Sequence, residues 1–431
     1  MVAPRLRLFY ICMFATLALT LFSGVSLSDD GCEGIGTPCG KQCCSSGDQL
    51  IVGRLGVEKM AASKDQLVAY QKWLNSKGVY YPKIDIRYID GDRGYGLFAK
   101  DDIAPNELII HIPDTIALNA NNIRKIAPFG EMLNKQSKLK PGDELVLFHI
   151  MEKPNPKSVF KPYLDMINDR SMTPLITHGN MALEDLPSVM RPLWQVERRR
   201  VEESYAFIKD IYSKVTKDEF NFAYNAVHTR SYKAQGNLCI VPLADMANHS
   251  LNPNTYQFRM DANNPPLYTI MSSRAIAKDE EITVSYGRLD NSLLWFMFGF
   301  HLDNNPNNQA GIPWTFLLDY MLKEGLITPP VLTFIHDNPL NPVVFAKKSG
   351  RISEGFRENV EFLLTKADTV AGQPEASREQ LDARTNEAIG SILRRFRAVV
   401  AQKADNVLKD YEFLWRDDVG SIDAVLSAMH L

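Results

Sequence analysis

The chain has 431 residues, 45% of them hydrophobic and 23% charged, with a formal net charge of −3. That is more chain than one ordinary core absorbs, and it points to two domains behind a processed tail. The near-neutral charge gives no broad electrostatic reason to bind nucleic acid, so a protein or a small molecule is the expected partner.

The first thirty residues stand apart. Arg5 and Arg7 precede an apolar run from Leu8 to Phe22, and the small residues Ser26 and Ser28 come after it. A charged head, an apolar middle and a small-residue exit make a secretory signal peptide. The run is about 15 residues, short of the roughly 20 that a spanning helix needs, so residues 1–28 read as a cleaved leader. An uncleaved membrane anchor is the alternative. Cys32, Cys39, Cys43 and Cys44 crowd into a tether over residues 29–60, with Cys12 inside the leader and Cys239 alone in the body. Four close cysteines behind a signal peptide suit a small disulfide clip of undetermined pairing. A zinc site would be the other reading, but no histidine lies near and Cys43-Cys44 is an awkward spacing for a tetrahedron, so no metal is expected.

From Lys64 to Ser76, Leu67, Val68, Tyr70 and Leu74 recur at helical spacing. Ile84 to Ile89 alternates as a strand, Gly91, Gly94 and Gly96 punctuate the next stretch, and Leu108 to Pro113 is a second strand. Between about 120 and 225 the pattern turns helical, with Glu144–Ile150 and Val201–Val215 the clearest stretches. Short strands resume at Tyr256–Phe258, Leu267–Ile270 and Ile282–Tyr286. Past Asn304 the chain reads mainly helical. Ile389, Ile392, Leu393, Phe396, Val399 and Val400 form one buried stripe, and Arg394, Arg395 and Arg397 form a solvated opposite face. Ala367 to Arg384, polar and interrupted by Pro and Gly, reads as an exposed linker or loop.

Three separated segments carry the chemistry. The first is Asp92-Arg93-Gly94-Tyr95-Gly96-Leu97-Phe98-Ala99. The second is Val227-His228-Thr229-Arg230-Ser231-Tyr232, leading into Val241-Pro242-Leu243-Ala244-Asp245-Met246-Ala247-Asn248-His249-Ser250. The third is Asp279-Glu280-Glu281-Ile282 through Tyr286-Gly287, closed by Phe298-Gly299-Phe300. In this order they resemble the SET-domain methyltransferases of the Rubisco large-subunit methyltransferase and actin-histidine methyltransferase type, and Phe160-Lys161-Pro162-Tyr163-Leu164 adds to the likeness. The resemblance spans roughly residues 65–305. It implies an α+β protein: a β-rich SET fold with a pseudoknot at 61–305, a helical insertion at about 120–225, and a mainly α-helical, substrate-binding-like domain at 306–431.

The same resemblance implies S-adenosyl-L-methionine as cofactor and a protein substrate presenting lysine, or else histidine. In Gly94-x-Gly96 the missing β-carbons allow close backbone approach and positive φ, although a tight hairpin turn would also explain them. Arginine suits the donor's carboxylate, so Arg230 is the first candidate and Arg93 the second; surface salt bridges are the plainer explanation for both. Asn248 suits the methionine end and the backbone at His249 the adenine, with Tyr95, Asp245 and Phe298 completing the cofactor set. Tyr286 is the expected catalytic residue. It steers sulfonium and amine as a neutral phenol, since an unperturbed pKa of about 10 makes it a poor base. Tyr232 and Tyr256 match the target-amine channel, with Phe298 beside them, although core packing is the usual fate of such rings. The related actin-histidine enzymes carry an amide where Tyr232 stands, which favours lysine.

Other enzyme classes lack their signatures: there is no His-Glu-x-x-His helix, Gly-x-Ser-x-Gly elbow, phosphate loop or Rossmann fingerprint. A catalytically inactive SET-like interaction module is the non-enzymatic alternative. Arg230, Asn248, His249 and Tyr286 occurring together speak against it. Relatives of this type work in plastids, cytoplasm or nucleus, whereas the leader addresses the secretory pathway or a plastid reached through it. Oligomeric state is not legible.

Overall fold

The computed structural model describes residues 50–52, 62–89, 93–135, 139–167, 182–234, 237–256, 259–261 and 267–430. The leader, the four tether cysteines and residues 257–258 of the expected Tyr256–Phe258 strand lie outside them, and Tyr256 itself is not in a strand. The chain divides into two compact units, the first drawn from 1–178, 196–288 and 295–303 and the second from 179–195, 289–294 and 304–431. Among the described residues no helix is long and apolar enough to cross a membrane, and no group of His, Cys, Asp and Glu could hold a metal ion.

In the first unit, strand β1 (Leu50–Val52) comes from the stretch read as a tether. Helix α1 (Lys64–Ser76) starts at a capping box between Ser63 and Gln66, which satisfies end amides reciprocally, and it buries Tyr70, Trp73 and Leu74 at helical spacing. β2 (Ile84–Ile89) and β3 (Gly94–Ala99) pair antiparallel over six positions, from Ile84↔Ala99 to Ile89↔Gly94. β4 (Leu108–Pro113) and β5 (Leu118–Asn119) complete the first half. The helical insertion comes next, and its helices α2 (Pro141–Glu152) and α3 (Lys161–Met166) belong to this unit, as does α4 (Lys217–Arg230). α2 is buried nearly all round and packs on α4, because its run Leu145 to Ile150 leaves no polar face.

The second half supplies β6 (Tyr232–Ala234), β7 (Asn237–Ile240), β8 (Asn248–His249), β9 (Arg259–Asp261), β10 (Leu267–Met271), β11 (Glu281–Val284) and β12 (Phe300–Leu302). The strands interleave across the chain: β4-β10-β9, β5-β7-β6, β1-β12 and β2-β3-β11-β8. In the last sheet β11 pairs antiparallel with β3 and parallel with β8, through Thr283↔Asn248 and Val284↔His249. Ile282 and Val284 turn into the core, which is continuous from Tyr70 to Val284.

The second unit carries a two-stranded sheet of β13 (Gln309–Pro313) and β14 (Val343–Lys347), with helices α5 (Trp314–Lys323), α6 (Glu354–Val370), α7 (Arg378–Ala404) and α8 (Lys409–Ala428). Two details depart from the expectation. The stretch 367–384 is a linker only between Val370 and Arg378, because a capping box of Ser377 and Gln380 starts α7 there and secures its first turn. Of the three arginines expected to be solvated, Arg394 and Arg395 are exposed, whereas Arg397 forms an ion pair with Asp423.

Buried histidines make this fold sensitive to acid. His149 on α2 is 4% exposed, and its side-chain pKa falls from 6.5 to about 3 through burial, with the Lys153 and Arg230 charges adding to the effect. The folded state thus favours the neutral ring. Its contribution is intact above the unfolded value near 6.5 and is lost as pH falls from there toward 3. Urea denaturation across that window is expected to show stability dropping with pH, with a shallower slope in His149→Gln; an unchanged slope contradicts the assignment.

Candidate active site

The segment from Val241 to His249 is buried at every position, which is unusual for a loop and demands that its polar backbone find partners. Leu243 stands at φ 79°, ψ −51°, a strained γ-turn geometry for a residue with a β-carbon. Side chains from several elements hold the segment in place. Tyr232 Oη donates to the Ala244 carbonyl at 2.9 Å, and Tyr286 Oη to the Ala247 carbonyl at 3.1 Å. Arg230 Nη1, at the end of α4, reaches the Asp245 carbonyl at 3.2 Å and its Oδ2 at 3.3 Å. Tyr163, from α3, donates to the same Oδ2 at 2.8 Å.

Asp245 is therefore a clamp on its own segment. Burial raises its carboxyl pKa, and the Arg230 guanidinium and the Tyr163 hydroxyl oppose that rise without cancelling it. A buried ion pair of this kind is weak evidence for stability but is costly to break from one side. The Tyr163 and Tyr232 phenols are both held well above their ordinary value, chiefly by burial.

A second group gathers around β8. Asn248 Nδ2 donates to Glu281 Oε1 at 2.8 Å and to the Tyr95 carbonyl at 3.4 Å. Arg93 Nη2 meets the other oxygen of Glu281 at 2.5 Å. Gly96 permits this approach. A β-carbon there would lie 2.8 Å from Ile89 Cδ1 and 3.0 Å from both Asn248 Nδ2 and Glu281 Oε1, while Gly94 takes the positive φ of 68°. Tyr95 contributes its carbonyl to the group; its ring packs edge-on against Tyr88 and its hydroxyl bonds to the Ala62 carbonyl.

The third group is aromatic. His249 Nδ1 accepts from the Tyr286 amide at 3.1 Å, and the two rings lie 5.2 Å apart. Tyr286 is 4.9 Å from Phe298, and Phe300 stands within 6.4 Å of Tyr286, Phe298 and His249. Burial pushes the Tyr286 phenol up to about 12, the charges of Asp245 and Glu281 adding to it and those of Arg230 and Arg93 opposing it. The phenol is neutral at physiological pH. It can orient and polarise, and it is not a base.

Of the ten residues expected from sequence, nine fall into these three groups. Tyr256 stands apart: it is 42% exposed, its hydroxyl donates to Asn106 Oδ1 at 2.7 Å, and its amide is held by the Met271 carbonyl at the end of β10. Tyr163, Glu281 and Phe300 lie within the sequence motifs but had no role there, and the structure brings all three into the site. Their partners are far away in sequence: Tyr163 and Asp245 are 82 residues apart, Arg93 and Glu281 188.

Arg93 Nε and Asp245 Oδ1 are buried with no hydrogen-bond partner, one a cationic donor and the other an anionic acceptor. A carboxylate would satisfy the first and an ammonium or amine the second.

Residues 94–287 match the model of the SET domain. The chain is 24% identical over 260 residues to the Rubisco large subunit N-methyltransferase of Pisum sativum, covering 56% of this chain and 52% of that one. To the fructose-bisphosphate aldolase-lysine N-methyltransferase of Arabidopsis thaliana it is 25% identical over 278 residues, covering 59% and 56%. To the actin-histidine N-methyltransferase of Dasypus novemcinctus it is 22% identical over 272 residues, covering 58% and 45%. The match spans about half the length of these relatives. The solved SET domain of LSMT bound to lysine and AdoHcy superposes with a TM-score of 0.61 at 17% identity, covering 85% of this chain and 91% of that one.

Gly96→Ala drives a methyl group into Ile89, Asn248 and Glu281. Overpacking of this kind is expected to lower the unfolding free energy by about 1–3 kcal/mol in urea denaturation. An unshifted midpoint contradicts the close approach.

Proposed function

We propose that this chain is an S-adenosylmethionine-dependent protein-lysine N-methyltransferase acting on a non-histone protein. The observation that carries the reading is the parallel pairing of β8 with β11. Through it the Asn248–Glu281–Arg93 group and the Tyr286 ring cluster share one sheet edge. When bound, S-adenosylmethionine supplies a methyl group made electrophilic by its sulfonium. The residues of the cleft fit its other parts: Arg230 and Arg93 its carboxylate, Asn248 and Asp245 its ammonium, and the buried backbone at His249 its adenine.

The chain's own contribution is alignment and charge placement. Tyr286, neutral and fixed to the Ala247 carbonyl, keeps its oxygen lone pairs for the sulfonium methyl and the incoming amine. A lysine with an ordinary pKa near 10.4 must arrive without its proton, and desolvation among Phe298, Phe300 and Tyr286 favours that form. Lysine is preferred to histidine because this chain carries the aromatic Tyr232 where the actin-histidine enzymes that it resembles carry an amide. The family likeness supports methyl transfer onto a protein, with relatives that act on Rubisco, on aldolase and on actin.

Incubating the full chain with S-adenosylmethionine and a protein extract, followed by mass-spectrometric placement of new methyl groups, tests this. Lysine modification is expected, with Tyr286→Phe slower by about 10²-fold, the usual loss when one preorganised polar group is removed. Methylation confined to histidine, or a Tyr286→Phe protein as fast as wild type, overturns the reading.

A further inference from the structure

The geometry points to Glu281 as a positioning residue that locks the amide of Asn248 in one orientation, so that Asn248 presents its oxygen to the ammonium of the methyl donor. This rests on the reading of the cleft as a donor site and specifies how that site recognises the amino group.

An asparagine amide can rotate by half a turn with almost no change of shape, exchanging two donors for an acceptor. Here the exchange is blocked from several directions. Glu281 Oε1 takes one N–H at 2.8 Å and the Tyr95 carbonyl faces the same nitrogen at 3.4 Å. A flipped amide would set its oxygen against a carboxylate oxygen and a carbonyl, three acceptors with no hydrogen among them. Glu281 cannot turn away, because Arg93 Nη2 holds its second oxygen at 2.5 Å in a charge-assisted bond and its backbone lies in β11 opposite Phe98. The group is enclosed, with the Glu281 side chain only 16% exposed, and a β-carbon at Gly96 would crowd Asn248 Nδ2 and Glu281 Oε1 at 3.0 Å. With Nδ2 committed, Oδ1 points the other way, and an ammonium is the ligand group that matches a fixed acceptor.

Replacing the carboxylate by an amide of the same shape should undo the lock. In Glu281→Gln, the Gln oxygen goes to Arg93, because the cationic donor outcompetes a neutral one. Its NH2 then faces Asn248, whose amide must flip and turn its own NH2 toward the ligand. The double variant Glu281→Gln with Asn248→Asp restores an acceptor on both sides.

The test is calorimetric titration of the full chain with S-adenosylhomocysteine and with its analogue lacking the amino group, with melting temperatures recorded to verify folding. Wild type is expected to prefer the amino compound by about 10- to 100-fold, the range of a charge-assisted hydrogen bond. Glu281→Gln is expected to lose most of that preference, the part that Asp245 does not supply, while retaining affinity for the analogue, and the double variant to regain it. A merely structural role would weaken both ligands alike. A wild-type preference in Glu281→Gln, or no recovery in the double variant, overturns the inference while leaving the donor site standing. Failure of wild type to bind S-adenosylhomocysteine at all overturns the donor-site reading itself.

Discussion

Two residue pairs, Thr283 with Asn248 and Val284 with His249, carry the architecture of the first unit. A parallel ladder of that length has almost no stability of its own, since even a full two-stranded hairpin is marginal in water. It persists because β11 is already fixed on its other edge by β3, and because the chain leading into β8 is held by hydrogen bonds from Arg230, Tyr163, Tyr232 and Tyr286. The reactive segments are thus made rigid by long-range contacts rather than by local propensity. The positive φ of Leu243 is tolerated in that setting, where the surrounding bonds over-determine the backbone.

The charges obey the same logic. Each of the two buried or half-buried arginines of the site is matched to one carboxylate, Arg230 to Asp245 and Arg93 to Glu281. Neither match is saturated: Asp245 keeps one oxygen and Arg93 keeps Nε without a protein partner. Those two atoms are the ones that the proposed donor's carboxylate and ammonium would satisfy. The neutral Tyr286 phenol between these groups suits the proposed methyl transfer, in which the protein would align two partners and leave the displacement to the chemistry of the donor.

Much of this was legible in the amino-acid sequence because the motifs are local. Gly94-x-Gly96, Asn248-His249 and Tyr286-Gly287 each announce a turn, a polar pair or a strand end within a few residues, and their order points to the fold. The partners were not legible. Nothing near Tyr163 signals a bond to a carboxylate 82 residues on, and Glu281 reads as one acid in an acidic turn until Arg93 is brought to it by the β3–β11 pairing. Tyr256 shows the converse, an aromatic at an expected position whose backbone is tied to β10 and whose hydroxyl turns to Asn106. The polar stretch 367–384 reads as a linker because its composition outweighs a single capping box at Ser377, which is enough to restart a helix.

Amide hydrogen exchange of the full chain, with and without S-adenosylhomocysteine, addresses the central claim that these two strands form one donor cleft. The account predicts that the backbone amides of residues 248–250 and 284–286 slow together when the ligand is added. Exchange that is unchanged in both segments, or slowed in one of them alone, contradicts it.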